Sequence, residues 1–126
     1  MKFQTVKFKS LNSTNTEAIN MIRKDKISPT IIITENQTKG KGRYGRKWIS
    51  LKGNLFLSIY FKIRKNLSVK KITKKNCIII KKSLSTFLKP KIMIKQPNDL
   101  LINGKKFCGI LQETVIHKGN KFLIIG

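Results

Sequence analysis

The chain has 126 residues, 28 of them Lys or Arg against five Asp or Glu, giving a formal net charge of +23. That length holds one domain with a real core, and no apolar run approaches the roughly 18 residues that a membrane-spanning helix needs. Met1 to Thr5 lack the apolar stretch of a signal peptide, so a cytoplasmic protein is expected; Cys77 and Cys108, with the lone His117, supply neither a disulfide framework nor a zinc set, and the cysteines read as buried thiols.

The charge invites a nucleic-acid reading, because clustered cations release counterions from phosphates. Only four of the basic residues are Arg, however, at positions 23, 43, 46 and 64, and the Lys are spread along the chain among Ile and Asn as in an AT-rich coding bias. A basic nucleic-acid-binding module is therefore the secondary reading, with non-specific attraction to polyanions at low salt as a by-product.

In chain order, Phe3–Lys9 alternates and predicts a strand with Val6 and Phe8 on one face. Ser13 or Thr14 then caps a helix over about Asn15–Lys24, with Glu17 placed to complete a capping box from Thr14 and with Ala18, Ile19 and Ile22 on one side. From spacing alone, Ser13-Thr14-Asn15 is no more than a cap. Thr30–Glu35 is a β-branched run of buried-strand type, and Leu55–Ile63 is a second strong strand.

Between those strands runs Asn36 to Trp48, a 13-residue segment with Gly40, Gly42, Gly45 and five cations, Lys39, Lys41, Arg43, Arg46 and Lys47. Glycine lets backbone N–H groups converge on an oxygen cluster, and the cations add full charge, so this composition suits anions. A structureless loop of that length is unusual unless it is functional. The glycines also spell G-x-G-x-x-G, but Trp48-Ile49-Ser50 follows where a helix should start and positions 60 to 65 hold no acid, which excludes a dinucleotide fingerprint.

Val69–Leu88 predicts a scaffold helix with Ile72, Asn76, Ile79, Ile80, Leu84, Phe87 and Leu88 as its stripe, stopped by Pro90. A short strand, Lys91–Lys95, leads to Gln96-Pro97-Asn98-Asp99, and Asn103-Gly104 marks a tight hairpin. The returning arm, Lys105–Ile116, is expected as one strand that sets Lys106 opposite the arm of Asp99, with Gly109 marking a close backbone approach. His117–Asn120 is a turn, and Lys121–Gly126 is a last strand whose abrupt end suggests an incomplete domain.

Ser13-Thr14-Asn15, Gln37 with Gly40–Trp48, Lys95–Leu100 and Gly104–Glu113 occur together in this order. The combination resembles the catalytic domain of biotin protein ligases over nearly the whole chain. The resemblance implies one catalytic domain, residues 1–126, lacking its C-terminal part and any N-terminal helix-turn-helix. It implies an α+β fold, with a mixed, largely antiparallel β-sheet flanked by helices as in class II aminoacyl-tRNA synthetases. The implied reaction activates biotin with MgATP as biotinyl-5′-adenylate and passes it to a lysine of a biotin carboxyl carrier protein. A lipoate or octanoate transferase is the nearest alternative, and a homodimer is left open.

By matching motifs, the resemblance places Ser13, Thr14, Asn15, Gln37, Lys41, Gly42, Arg43 and Lys106 at biotin. It places Gly40, Lys41, Gly42, Arg43, Arg46, Trp48, Asn98 and Asp99 at ATP, with Lys106, Arg43 and Asp99 as the catalytic set. Asp99 would orient or deprotonate the acceptor lysine or hold Mg²⁺ through water; the residues leave that choice open, and no metal is expected on side chains directly. Two positions depart from the family pattern. Lys41 stands where Arg is usual, a point charge in place of a bidentate grip, and Gln96 stands where Trp is usual.

Overall fold

The computed structural model describes residues 1–126. The chain divides into two compact units, residues 1–66 with 111–126 and residues 67–110. No helix is long and apolar enough to cross a membrane.

The first unit contains β1 (Gln4–Leu11), α1 (Thr14–Arg23), β2 (Thr30–Gln37) and β3 (Phe56–Ile63), and recruits two strands from further along, β7 (Gln112–His117) and β8 (Asn120–Ile125). They form one sheet in the order β1-β2-β3-β8-β7. Only the β1–β2 pair is parallel, as it must be when a helix carries the chain back between them. β2–β3, β3–β8 and β8–β7 are antiparallel.

α1 lies on one face of this sheet, where Ala18, Met21 and Ile22 meet Ile32, Tyr60, Phe122 and Ile124. Val6, Phe8 and Ile19 pack at the edge of that cluster, as their spacing predicts; Met21 joins from outside the expected stripe. β2 is β-branched on both faces, but the face toward the core is Thr30, Ile32 and Thr34, with Ile31 and Ile33 half-buried opposite. Two polar residues in the buried row are tolerated because each hydroxyl finds a backbone carbonyl, Thr30 on Ser28 and Thr34 on Asn36.

Several boundaries move. The cap of α1 is Ser13, whose side chain accepts from the Thr16 N–H at 3.4 Å, so Glu17 falls one position too late for the capping box expected from Thr14. β2 runs on through Asn36 and Gln37, which removes them from the loop. β3 starts at Phe56 and leaves Leu55 exposed.

The second unit contains α2 (Val69–Ser85), β4 (Ile92–Lys95), β5 (Asp99–Ile102) and β6 (Lys105–Gly109), the strands forming a separate antiparallel sheet in the order β4-β5-β6. α2 packs on β4 and β5. It ends at Ser85, four residues short of Pro90, and the predicted stripe is too wide: Ile79, Phe87 and Leu88 are exposed and Cys77 is the one fully buried residue of the helix. Asn103 and Gly104, at φ 50° and 75°, make the predicted two-residue turn. The arm expected as one strand to Ile116 is broken at Ile110-Leu111: β6 pairs with β5, while β7 belongs to the other sheet. Alternation alone does not reveal where a strand changes partner.

Candidate functional site

In the first unit the sequence motifs are joined by one hydrogen-bonded chain of side chains. Ser13 caps α1, Thr14 and Asn15 open its first turn, and all three are buried, at 4%, 4% and 2% exposure. They are more than a cap. Gln37, at the end of β2, accepts the Thr14 N–H at 3.0 Å through Oε1 and donates from Nε2 to Ser50 Oγ at 3.0 Å. Ser58 of β3 lies 2.7 Å from Thr14 Oγ1 and 2.5 Å from Asn15 Oδ1. Asn15 Nδ2 donates to Glu113 Oε2 of β7 at 2.8 Å. The other oxygen of Glu113 faces the Lys41 ammonium at 3.4 Å.

The segment after β2 is not structureless. Lys41 bridges Lys47, the Trp48 N–H donates to Gly40 O at 2.9 Å and the Gly42 N–H to Arg46 O at 2.7 Å, so the loop is a small antiparallel ribbon. Its tip is a short 3₁₀ turn, Arg43–Gly45, in which Tyr44 and Gly45 take positive φ, 56° and 71°. Gly40 sits at the base for a steric reason: a Cβ there would lie 2.5 Å from Ser50 Oγ and 2.6 Å from the Trp48 carbonyl oxygen.

The five cations of the loop diverge. Lys41 turns inward to Glu113, whereas Arg43 lies over the Tyr44 ring, 4.8 Å from its centroid, and donates to the Tyr44 hydroxyl at 2.8 Å. Lys39, Arg46 and Lys47 are exposed. Gly42 and Trp48 are half-buried.

In the second unit, Lys106 Nζ lies 2.9 Å from Asp99 Oδ1. That oxygen has no hydrogen-bond partner of good alignment, so the contact is an ion pair and not a directed bond. Asn98 is committed to the backbone: its Nδ2 donates to Ile110 O at 2.8 Å and its carbonyl accepts the Ile110 N–H at 3.0 Å. Those bonds hold the approach to Asp99 against the end of β6. A bulge between Leu100 and Leu101 shifts the β5–β6 register by one residue, so Asp99 faces Gly109 rather than Cys108; Lys106 pairs with Leu101 along the ladder and reaches Asp99 with its long stem. Cys77 is a free, buried thiol that donates to Pro97 O at 3.3 Å, while Cys108 is free but only half-buried, against expectation. Burial, then the Asp99 charge, pushes the Cys77 thiol up; burial first and its neighbours Cys77 and Asp99 next push Cys108 up, so both stay protonated at neutral pH.

Spacing missed Ser50, Ser58 and Glu113. Nothing in the sequence distinguishes Ser58 from its strand neighbours; its signal would be a serine at an inward position of a strongly apolar strand, which is costly unless it bonds to a partner. Glu113 carried a similar hint, being one of only five acids in the chain.

The α+β fold thus sets a polar network at one helix N-terminus beside a cationic glycine ribbon, uncharged donors and acceptors next to positive charge. Residues 7–126 match the Biotin/lipoate A/B protein ligase family, and the chain belongs to that family. It is 32% identical over 107 residues to the bifunctional ligase/repressor BirA of Bacillus subtilis, which covers 82% of this chain and 32% of that protein. Among solved structures it is similar to the biotin acetyl coenzyme A carboxylase synthetase of Helicobacter pylori with bound biotinylated ATP, at TM-score 0.77, 25% identity, and coverage of 98% of this chain and 60% of that one. The biotin protein ligase of Aquifex aeolicus in complex with biotin and ATP matches at TM-score 0.75, 25% identity, and coverage of 96% and 50%. The chain spans about a third of the length of the curated relatives it matches.

Proposed function

We propose that this chain carries substrate-binding and catalytic residues of an ATP-dependent biotin protein ligase, its residues 1–126 belonging to one catalytic domain. The observation that carries this reading is the chain Gln37–Thr14–Ser58–Asn15–Glu113–Lys41, buried at its centre and half-buried at its ends, which sets uncharged polar groups at one end and a cation at the other. Biotin has that polarity: a ureido ring at one end and a carboxylate at the other. The resemblance of four ordered motifs and the ligand-bound relatives support the same assignment.

In this reading Ser13, Thr14, Asn15 and Gln37 hold the ureido ring, and Lys41, Gly42 and Arg43 receive the carboxylate and the adenylate phosphate. Gly40, Arg46 and Trp48 lie on the nucleotide side. The carboxylate oxygen attacks the α-phosphorus of ATP and pyrophosphate leaves; an acceptor lysine amine then attacks the acyl carbon and AMP leaves. Two anions must meet in the first step, so preorganised cations and amide donors are needed to offset their repulsion. Lys106 is the proposed cation for charge developing at the α-phosphate. Asp99, beside Asn98, is proposed to orient the acceptor amine, or to reach through water a Mg²⁺ that enters on the ATP phosphates, since such an ion needs only one or two protein carboxylates. A biotin carboxyl carrier domain in the cytoplasm is the proposed acceptor, with an acidic surface suited to this basic one.

The test is incubation with biotin, MgATP and a carrier domain, read by streptavidin blot, with label expected on the carrier. ATP–pyrophosphate exchange that depends on biotin supports the first step; exchange driven by lipoate and not by biotin would replace this reading with the lipoate alternative that the family also includes.

A further inference from the structure

Each hydroxyl in the buried network has one proton, and the contacts leave one arrangement for them. Glu113, as a carboxylate, can only accept, so the amide edge 2.8 Å from its Oε2 must be Asn15 Nδ2, and Asn15 Oδ1 must face Ser58. The Leu111 carbonyl, at 3.5 Å from the same nitrogen, points the same way more weakly. A 2.5 Å contact between Ser58 Oγ and Asn15 Oδ1 needs a proton that only Ser58 can give. With that proton committed, the 2.7 Å contact between Ser58 and Thr14 must be bridged by the Thr14 proton. Gln37 Oε1 lies 3.4 Å from Thr14 Oγ1 and takes its hydrogen from the Thr14 backbone N–H at 3.0 Å instead.

We infer that Glu113 is a positioning residue that fixes the direction of this proton chain, so that Thr14 Oγ1 and Gln37 Oε1 present lone pairs to a ligand and the site selects for N–H donors. The inference rests on the biotin reading and deepens it. A ureido ring offers two N–H groups to such acceptors, whereas a dithiolane ring or a plain acyl chain offers none and would leave the buried oxygens unpaired. Glu113 also pairs with Lys41, so its effect on the ligand's acid end has to be separated from its effect on the ring end. Comparing two acids does so, because biotin and lipoate share the carboxylate and differ in the ring.

Biotin and lipoate are titrated by calorimetry into the unsubstituted chain, Glu113→Gln and Ser58→Ala, with folding of each variant checked by circular dichroism. Gln can offer either an amine or a carbonyl edge to Asn15, so it releases the lock; Ser58→Ala breaks the relay without touching Lys41 and carries the test should Glu113→Gln not fold. Each variant is expected to lower the biotin-to-lipoate affinity ratio by about tenfold. An unchanged ratio in the folded variants overturns the inference. Absence of biotin binding by the unsubstituted chain would overturn the ligase reading instead, and hydrogen exchange of the Asn15 side-chain amide then decides the proton chain: faster exchange in Glu113→Gln supports it, equal exchange overturns it.

Discussion

In the first unit, one ten-residue helix buries Ala18, Met21 and Ile22 on a five-stranded sheet and also buries its polar cap, Ser13, and the first-turn residues Thr14 and Asn15. In the second, a 17-residue helix packed on β4 and β5 has only Cys77 fully buried, and the unit's eleven lysines are matched by a single acid, Asp99. The difference lies in what each unit can preorganise. Burial makes a hydrogen-bond chain directional, because no water competes for its groups and an unmade bond is expensive. A half-exposed ion pair such as Lys106–Asp99 is worth roughly 0–1 kcal/mol to stability, so its lysine can be lent to a developing charge at little cost to the fold.

The sharpest way to break that contrast is Lys106→Ala. Removing the proposed charge stabiliser should lower biotin-dependent ATP–pyrophosphate exchange by about 10²–10³-fold while leaving the thermal midpoint nearly unchanged. A parallel fall in both would show that the second unit needs the pair to fold. Next in size is a stability contrast between a buried and an exposed isoleucine. Ile32→Ala in the first core should cost about 2–5 kcal/mol in urea unfolding, whereas Ile79→Ala on α2 should stay within about 0.5 kcal/mol.

Gly40→Ala should cost about 1–3 kcal/mol, since its Cβ would collide with the Trp48 carbonyl oxygen and Ser50 at the base of the ribbon. Lys41→Arg, which restores a planar fork, should tighten binding of the substrate acid by about 1 kcal/mol, roughly fivefold, in calorimetry. The smallest effect belongs to a surface cluster in the first unit. Lys118, then His117, hold the Asp25 carboxyl below its ordinary value through bonds of 2.7 and 2.8 Å. The folded chain therefore favours the ionised form: this contribution is complete above the unfolded value of about 4 and fades as pH falls through the lower folded one. Asp25→Asn should flatten the dependence of thermal midpoint on pH in that acidic window and lower the midpoint slightly near neutrality, where the contribution is complete.

Local grammar was the legible part. Asn103-Gly104 fixed a turn, the Ser13 region opened a helix, and the Thr30 run formed a strand, because each depends on residues within a few positions. What stayed hidden depends on registers between distant strands. Asn15 and Glu113 are 98 positions apart, and their contact follows from α1 crossing to β7, a strand reached only through the switch of sheets at Ile110-Leu111. α2 misled for the opposite reason: a helix in which ten of 17 residues are Lys or Ile supports more than one stripe, and the two short strands it packs on cover only a narrow one. Of the candidate site, the motifs were legible as residues, but the inward turn of Lys41 and the outward stacking of Arg43 on Tyr44 were not.

The strand that carries Phe122, Leu123 and Ile124 pairs with β3 across an interval occupied by the whole second unit. During synthesis the apolar face of α1 therefore waits, without its last partners, until α2 and β4–β6 have left the ribosome. The 44-residue interval, 67–110, adds only a modest closure entropy, because that cost grows slowly with length, but it adds time. A nascent chain stalled before Phe122 should thus bind a hydrophobic dye and a holdase chaperone, and release both when the final strand emerges.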